Sequence, residues 1–190
     1  MANWLIAGLG NPGSQYAQTR HNAGFWWLDR LAEEQNVSLS IETKFHGQFG
    51  QTSLAGHRLY LLKPHGFMNR SGQAVAALAR FYKIAPDHIL IVHDDLDLPA
   101  GKAKLKSGGG HGGHNGLRDI IAQLGSQAFL RCRIGIGHPG DRRDVSHYVL
   151  SKPALQDQPL IHTAIEQSIQ VLPDILSGKM DKAMNWLHSQ

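Results

Sequence analysis

The sequence predicts an α/β fold: a single domain over residues 1–190, with a mixed, mostly parallel twisted sheet and helices on both faces. Three observations predict it. Short apolar runs alternate along the chain with longer segments whose apolar residues recur at i, i+3, i+4, i+7, the pattern of strands interleaved with helices. One of the runs, Ile89-Leu-Ile-Val-His93, is continuously apolar, as a central strand buried on both sides must be. Finally, 190 residues without an internal repeat or long linker suit one domain with one well-buried core.

The elements follow in order. Trp4 to Gly8 reads as a buried strand running into Gly8-Leu-Gly-Asn-Pro-Gly13, a match to the dinucleotide fingerprint G-x-G-x-x-G. The match lacks its context. A polar stretch, Ser14 to Arg20, follows where a helix should open, and no strand-end acid stands about 20 residues on. The first helix starts near Asn22, with Trp27, Leu28 and Leu31 on one face. Gln51–Leu54 and Leu59–Leu62 form a hairpin about a turn at Ala55-Gly56-His57. After a loop from Lys63, Ser71 can cap a helix bearing Val75, Leu78, Ala79 and Tyr82. The strand at Ile89 ends in Asp94-Asp-Leu-Asp97.

Lys102, Lys104 and Lys106 then alternate with Ala103 and Leu105, a strand with one basic face on which residues two apart stand about 6.6 Å from each other. The glycine-dense loop Gly108-Gly-Gly-His-Gly-Gly-His-Asn115 follows. Beyond it Leu117, Ile120, Ile121 and Leu124 mark an amphipathic helix that Asn115 can cap. A helix N-terminus behind such a loop favours anions; a tight structural turn is the other reading. In Arg131-Cys-Arg-Ile-Gly-Ile136, Cys132, Ile134 and Ile136 face inward, while Arg131 and Arg133 share the other face. Asp144 can cap a short helix from Val145. A helix from Leu160 to Leu172 ends at Pro173, and another spans Lys179 to His188.

Composition excludes several functions. At 42% hydrophobic and 18% charged the chain is globular, and no run approaches the roughly 18 apolar residues of a membrane span. No basic region precedes the first apolar run, so no signal peptide is expected. One cysteine leaves no disulfide and no cysteine-based metal site, as suits a reducing cytoplasm. Between Ala100 and Val145 eight Lys/Arg face three Asp, a local +5 that leaves −1 for the rest of a chain of net +4. That asymmetry points to a phosphate-rich partner.

Neither a G-x-S-x-G elbow nor a P-loop is present. Twelve histidines are scattered, and His111 and His114 sit in a loop rather than on a helix face, which speaks against zinc. What remains is His21 at a loop-to-helix joint, Asp94 at a strand end, the loop asparagines Asn11, Asn69 and Asn115, and a basic face. This set lacks a protein nucleophile and suits water activation: His21 as base, Asp94 fixing its tautomer, amides holding carbonyls and water.

Six motifs then carry a resemblance. Gly8-Leu-Gly-Asn-Pro-Gly13, Thr19-Arg-His-Asn-Ala-Gly24, Phe67-Met-Asn-Arg-Ser-Gly72, His93-Asp-Asp-Leu-Asp-Leu-Pro99, Gly108 to Leu117, and Arg133-Ile-Gly-Ile-Gly-His-Pro139 resemble the signatures of the bacterial peptidyl-tRNA hydrolases, in order and spacing. The resemblance implies a monomeric, cytoplasmic enzyme, without cofactor or metal, that hydrolyses the ester joining a peptide to tRNA. It implies His21 as base and Asp94 as its partner. Asn11, Asn69 and Asn115 would hold the peptide or water, and Tyr16, Phe67, Met68 and Gly112 would line the cleft with them. Lys104, Lys106 and Arg133 would grip tRNA phosphates, and the helices from about 150 to 190 would form a lid. The chain departs from the family's Pro-x-Thr at Pro64-His65-Gly66. A non-catalytic RNA-binding module is the rival reading, and it would need neither His21 nor Asp94. A nucleotide-dependent enzyme is disfavoured by the missing fingerprint context.

Overall fold

The computed structural model describes residues 1–190. Its first half runs β1 (Asn3–Gly8), α1 (Ala23–Glu34), β2 (Ser40–Glu42), β3 (Gly47–Leu54), β4 (His57–Pro64), α2 (Ser71–Phe81) and β5 (Ile89–Asp95). The second half runs β6 (Ala103–Ser107), α3 (Asn115–Leu124), β7 (Leu130–Gly135), α4 (Val145–Val149), α5 (Gln158–Gln170), α6 (Leu172–Leu176) and α7 (Met180–His188). The strands form one sheet in the order β2-β3-β4-β1-β5-β7-β6. Its central strands β4, β1, β5 and β7 are mutually parallel. The flanking pairs β2–β3, β3–β4 and β6–β7 are antiparallel.

Alternation along β5 divides the core. Leu90 and Val92 pack with Trp27, Leu28 and Leu31 of α1 and with α5–α7. Ile89 and Ile91 pack with Val75 and Leu78 of α2 and Leu117 and Ile120 of α3. Helices thus cover both faces, as expected. The C-terminal helices are built into the first face: Ile161, Ala164, Ile165, Leu172, Ile175, Ala183 and Leu187 are all buried there. His188 also accepts the Leu105 N–H at the outer edge of β6, which shields that edge strand. No helix is long and apolar enough to cross a membrane.

Several local expectations give way to tertiary contacts. The hairpin is longer than its apolar residues indicate, and its turn is Ala55-Gly56 alone, both at positive φ (52° and 80°), the geometry of a type I′ turn. β2 carries no apolar alternation and was invisible in the sequence; Ile41 on it is 68% exposed. Ser71 does not cap α2. It lies inside the first turn, and its hydroxyl donates to the Met68 carbonyl. Asp144 does not cap α4, and Asp141 instead accepts the Arg143 N–H one turn earlier. Lys102 precedes β6, and its ammonium reaches the Gln190 carbonyl rather than the basic face.

One close approach sets the site. A Cβ on Gly8 would lie 2.1 Å from the Gly24 carbonyl oxygen, and one on Gly24 would lie 2.4 Å from Leu9 N and Val92 O. Only glycines let the start of α1 rest directly on the carboxyl ends of β1 and β5. The fingerprint-like glycine therefore serves helix packing, and the turn that precedes α1 is held over the end of β5.

Candidate active site

That turn, Arg20–Asn22, carries His21. Arg20 is buried, its guanidinium 3.7 Å from the centre of the Tyr148 ring and hydrogen-bonded to the Tyr148 carbonyl (2.9 Å) and the Ser151 hydroxyl (2.6 Å). Asn22 clamps the loop after β1 from both sides, accepting the Asn11 N–H and donating to the Asn11 carbonyl, each at 2.9 Å. The Asn11 side-chain oxygen in turn accepts the Met68 N–H at 2.7 Å, which leaves the Asn11 NH2 as its free end.

Asp94 is the hub. Its carboxylate accepts from His21 Nδ1 at 2.9–3.0 Å and from His114 Nε2 at 2.8 Å. His114 Nδ1 accepts the N–H groups of Gly116 and Leu117, so His114 caps α3, and its proton must reside on Nε2. Asn115, expected to be the cap, is the first residue of the helix; it is exposed and accepts from Arg118 at 3.2 Å. The histidine one residue earlier reaches both the helix amides and Asp94.

The electrostatics follow from these contacts. Burial disfavours the His21 imidazolium, yet the Asp94 charge and hydrogen bond outweigh it, and the His21 pKa stands above its ordinary value. Burial alone would raise Asp94, but the two imidazoles prevail and hold it well below the usual carboxylate range. Behind His114 lies His93, ring centroids 5.1 Å apart, with its Nδ1 donating to the Asp94 carbonyl. Burial first, and His114 second, push the His93 pKa down to about 4. His21 Nδ1, His114 Nε2 and the Asp94 carboxylate lie within 4.8 Å of one another, but all are already engaged in mutual hydrogen bonds.

A groove of about 650 Å³ runs from this cluster. It is lined by His21, Asp94, His114, Asn115 and Gly112, by Lys106, Arg131, Arg133, His138 and Arg142, and by the α4 residues Val145, Ser146 and Val149. Lys104 stands opposite Arg133 in the β6–β7 register but outside the groove wall. Asn11 borders a separate pocket of about 170 Å³. Tyr16 and the exposed Phe67 meet edge to face at 6.1 Å. Met68 is buried, touching the site through its backbone, and Asn69 beside it is exposed.

The basic strands are not uniform. Arg133 donates its Nε to Asp95 at 2.8 Å, which leaves its outer nitrogens available. Asp95 also accepts the Asp97 N–H at 2.8 Å and so makes the turn that follows β5. Arg131, expected on the same exposed face as Arg133, is 2% exposed and turned onto the carbonyls of Gly109 and Gly110.

Comparison with known proteins shows the family. The family profile described as peptidyl-tRNA hydrolase matches residues 5–190. The chain belongs to the peptidyl-tRNA hydrolase family. A Coxiella burnetii peptidyl-tRNA hydrolase is 57% identical over 185 residues, covering 97% of each chain. One from Neisseria meningitidis is 55% identical over 186 residues, covering 98% of this chain and 97% of its own. The crystal structure of the Acinetobacter baumannii peptidyl-tRNA hydrolase superposes with a TM-score of 0.94 at 49% identity, covering 97% of this chain and 93% of that one. The chain is an enzyme with the hydrolase activity for which the family is named.

Sequence reasoning missed His114, Asn22 and Arg20 as site residues. The one signal for His114 was its place immediately before a predicted helix. Asn22 and Arg20 flank His21 but act through partners elsewhere in the chain.

Proposed function

We propose that this peptidyl-tRNA hydrolase cleaves its ester through water activated by His21, with no covalent intermediate and no metal. The observation that carries the reading is the placement of Asp94. It occupies Nδ1 of His21, so Nε2 is the nitrogen left to act as base in the groove. Water attacks the ester carbonyl carbon and gives its proton to Nε2. The imidazolium, stabilised by Asp94, then protonates the ribose oxygen as the carbon–oxygen bond breaks. The products are a free tRNA hydroxyl and a peptide carboxylic acid.

The donor set supports this route over a covalent one. The hydrogen-bond partner of His21 is a carboxylate, not a hydroxyl or thiol. The lone cysteine, Cys132, is buried with its thiol pushed up to about 12. The free NH2 of Asn11, with Asn69 and Asn115, serves to hold the carbonyl and the water; Tyr16, Phe67, Met68 and Gly112 border the peptide and terminal nucleoside. Lys104, Lys106 and Arg133 grip tRNA phosphates. The enzyme acts as a monomer in the cytoplasm, where its substrate is found.

The test is His21→Ala assayed on N-acetyl-aminoacyl-tRNA. Turnover should fall about 10² to 10⁴-fold with tRNA affinity retained. Near-normal turnover by the folded variant would reject His21 as the base.

A further inference from the structure

We infer that Arg131 is a positioning residue for this reaction, acting on the glycine loop that delivers His114, and not one of the tRNA-binding cations. The inference rests on the reading of His21 and Asp94 given above. Three observations carry it.

First, Arg131 is unavailable to a phosphate. It is 2% exposed, its guanidinium lies 4.4 Å from the centre of the buried Phe129 ring, and its outer nitrogens donate to the carbonyls of Gly109, Gly110 and Gln127. These acceptors are backbone carbonyls rather than a carboxylate, so a buried cation is stabilised by ordering the loop. Arg131 borders the groove, as do Lys106, opposite it in register, and Arg133, two residues on, but Arg133 spends only its Nε, on Asp95, whereas both outer nitrogens of Arg131 are taken by carbonyls.

Second, the loop needs an external tie. Between Ser107 and His114 five of six residues are glycine, and Gly108, Gly109, Gly112 and Gly113 have positive φ. Glycine loses more conformational freedom on ordering than any other residue. The entry to the loop is held by the Gly108 N–H on the Phe129 carbonyl, and its exit by the His114 N–H on the His111 carbonyl. Arg131 holds two consecutive carbonyls between these points. A planar guanidinium can span them, whereas an ammonium is a single point donor.

Third, the loop ends in the residue that shares Asp94 with His21. His114 closes on Asp94 at 2.8 Å while capping α3. Loosening the loop shifts His114, leaves Asp94 one donor short and changes how Asp94 holds His21. Misplacement of this kind costs rate, on the order of 10- to 100-fold, rather than phosphate affinity.

The test compares Arg131→Lys and Arg131→Ala with the wild type in three measurements. These are turnover on peptidyl-tRNA and on a peptidyl ester of adenosine, the salt dependence of tRNA binding, and the His114 tautomer by 15N NMR. Both variants should lose turnover on both substrates, keep the wild-type salt slope, and weaken the His114 Nε2–H signature. Methylguanidinium should partly restore Arg131→Ala but not His21→Ala. A salt slope flattened by about 0.7 to 0.9, with normal turnover on the adenosine ester, would make Arg131 a phosphate ligand and overturn the inference. So would an unchanged His114 signature together with unchanged turnover. Should Arg131→Ala not fold, Arg131→Lys keeps the charge and decides alone. A changed His114 signature with undiminished turnover would uphold the strap and instead reject the catalytic reading of the Asp94 cluster.

Discussion

Replacing Asp94 with asparagine tests the site most severely, because of the proton arrangement around it. From sequence alone the change disturbs only the orientation of His21 and should cost less than losing His21. The structure changes that expectation. Both neighbours of the carboxylate donate: His21 through Nδ1 and His114 through Nε2. An asparagine in either amide orientation points an N–H at one of them. His114 cannot accept it, since its Nδ1 already receives the Gly116 and Leu117 amides and its proton stays on Nε2. His21 Nδ1, which touches both carboxylate oxygens, then meets the NH2 at the Oδ2 position, 2.9 Å away, and this favours moving its proton to Nε2, where it ceases to be a base toward the groove. The expected loss is about 10³ to 10⁴ in turnover, or roughly 4 to 5.5 kcal/mol at 1.36 kcal/mol per decade. The pH profile should move as well. Asp94 holds the His21 pKa above its ordinary value against burial, so removing the charge should carry the acid limb of kcat to lower pH. Asp94→Ala imposes no tautomer and should retain more activity than Asp94→Asn. Single-turnover rates on N-acetyl-aminoacyl-tRNA between about pH 5 and 9 measure all three. An Asp94→Asn variant within tenfold of wild type, or an acid limb that stays in place, would refute the reasoning.

Chelation with EDTA should leave activity unchanged, because the nitrogen and carboxylate donors nearest one another are already spent on mutual hydrogen bonds; loss on chelation with recovery on adding zinc would show that a metal displaces them. Lys104→Ala, Lys106→Ala and Arg133→Ala should each raise KM for tRNA substrates and flatten the salt slope by about 0.7 to 0.9 per phosphate contact, with kcat nearly unchanged. Hydrolysis of a peptidyl ester of adenosine should barely respond, and a triple variant with the wild-type salt slope would remove these residues from the tRNA interface. His93 makes a pH prediction for stability. Its folded pKa is lowered from 6.5 to about 4, so its contribution is present above 6.5 and is lost as the pH falls toward 4. Across that window it should cost about 1.4 kcal/mol per pH unit, and urea midpoints of His93→Gln should fall less steeply than those of wild type.

What the sequence determined by itself is whatever follows from local periodicity. The run Ile89–Val92 needs two apolar faces wherever it sits, and Trp27, Leu28 and Leu31 share a helix face in any fold. The unit of basic strand, glycine loop and amphipathic helix was legible for the same reason. So were His21 and Asp94 as candidates, His21 at the joint leading into the first helix and Asp94 at a strand's carboxyl end, where open α/β sheets gather ligands. Tertiary structure decided which polar atom meets which. His21 and Asp94 are 73 residues apart, and His114 is 20 from Asp94. No local pattern says that a loop histidine will displace Asn115 as the helix cap and also hold the carboxylate. Likewise, Arg131 and Arg133 have the same period and the same chemistry. Both border the groove, but the glycine loop folds back over one and not the other: a guanidinium covered by carbonyls becomes part of the scaffold, while its neighbour, held only through Nε, keeps its outer donors for a ligand.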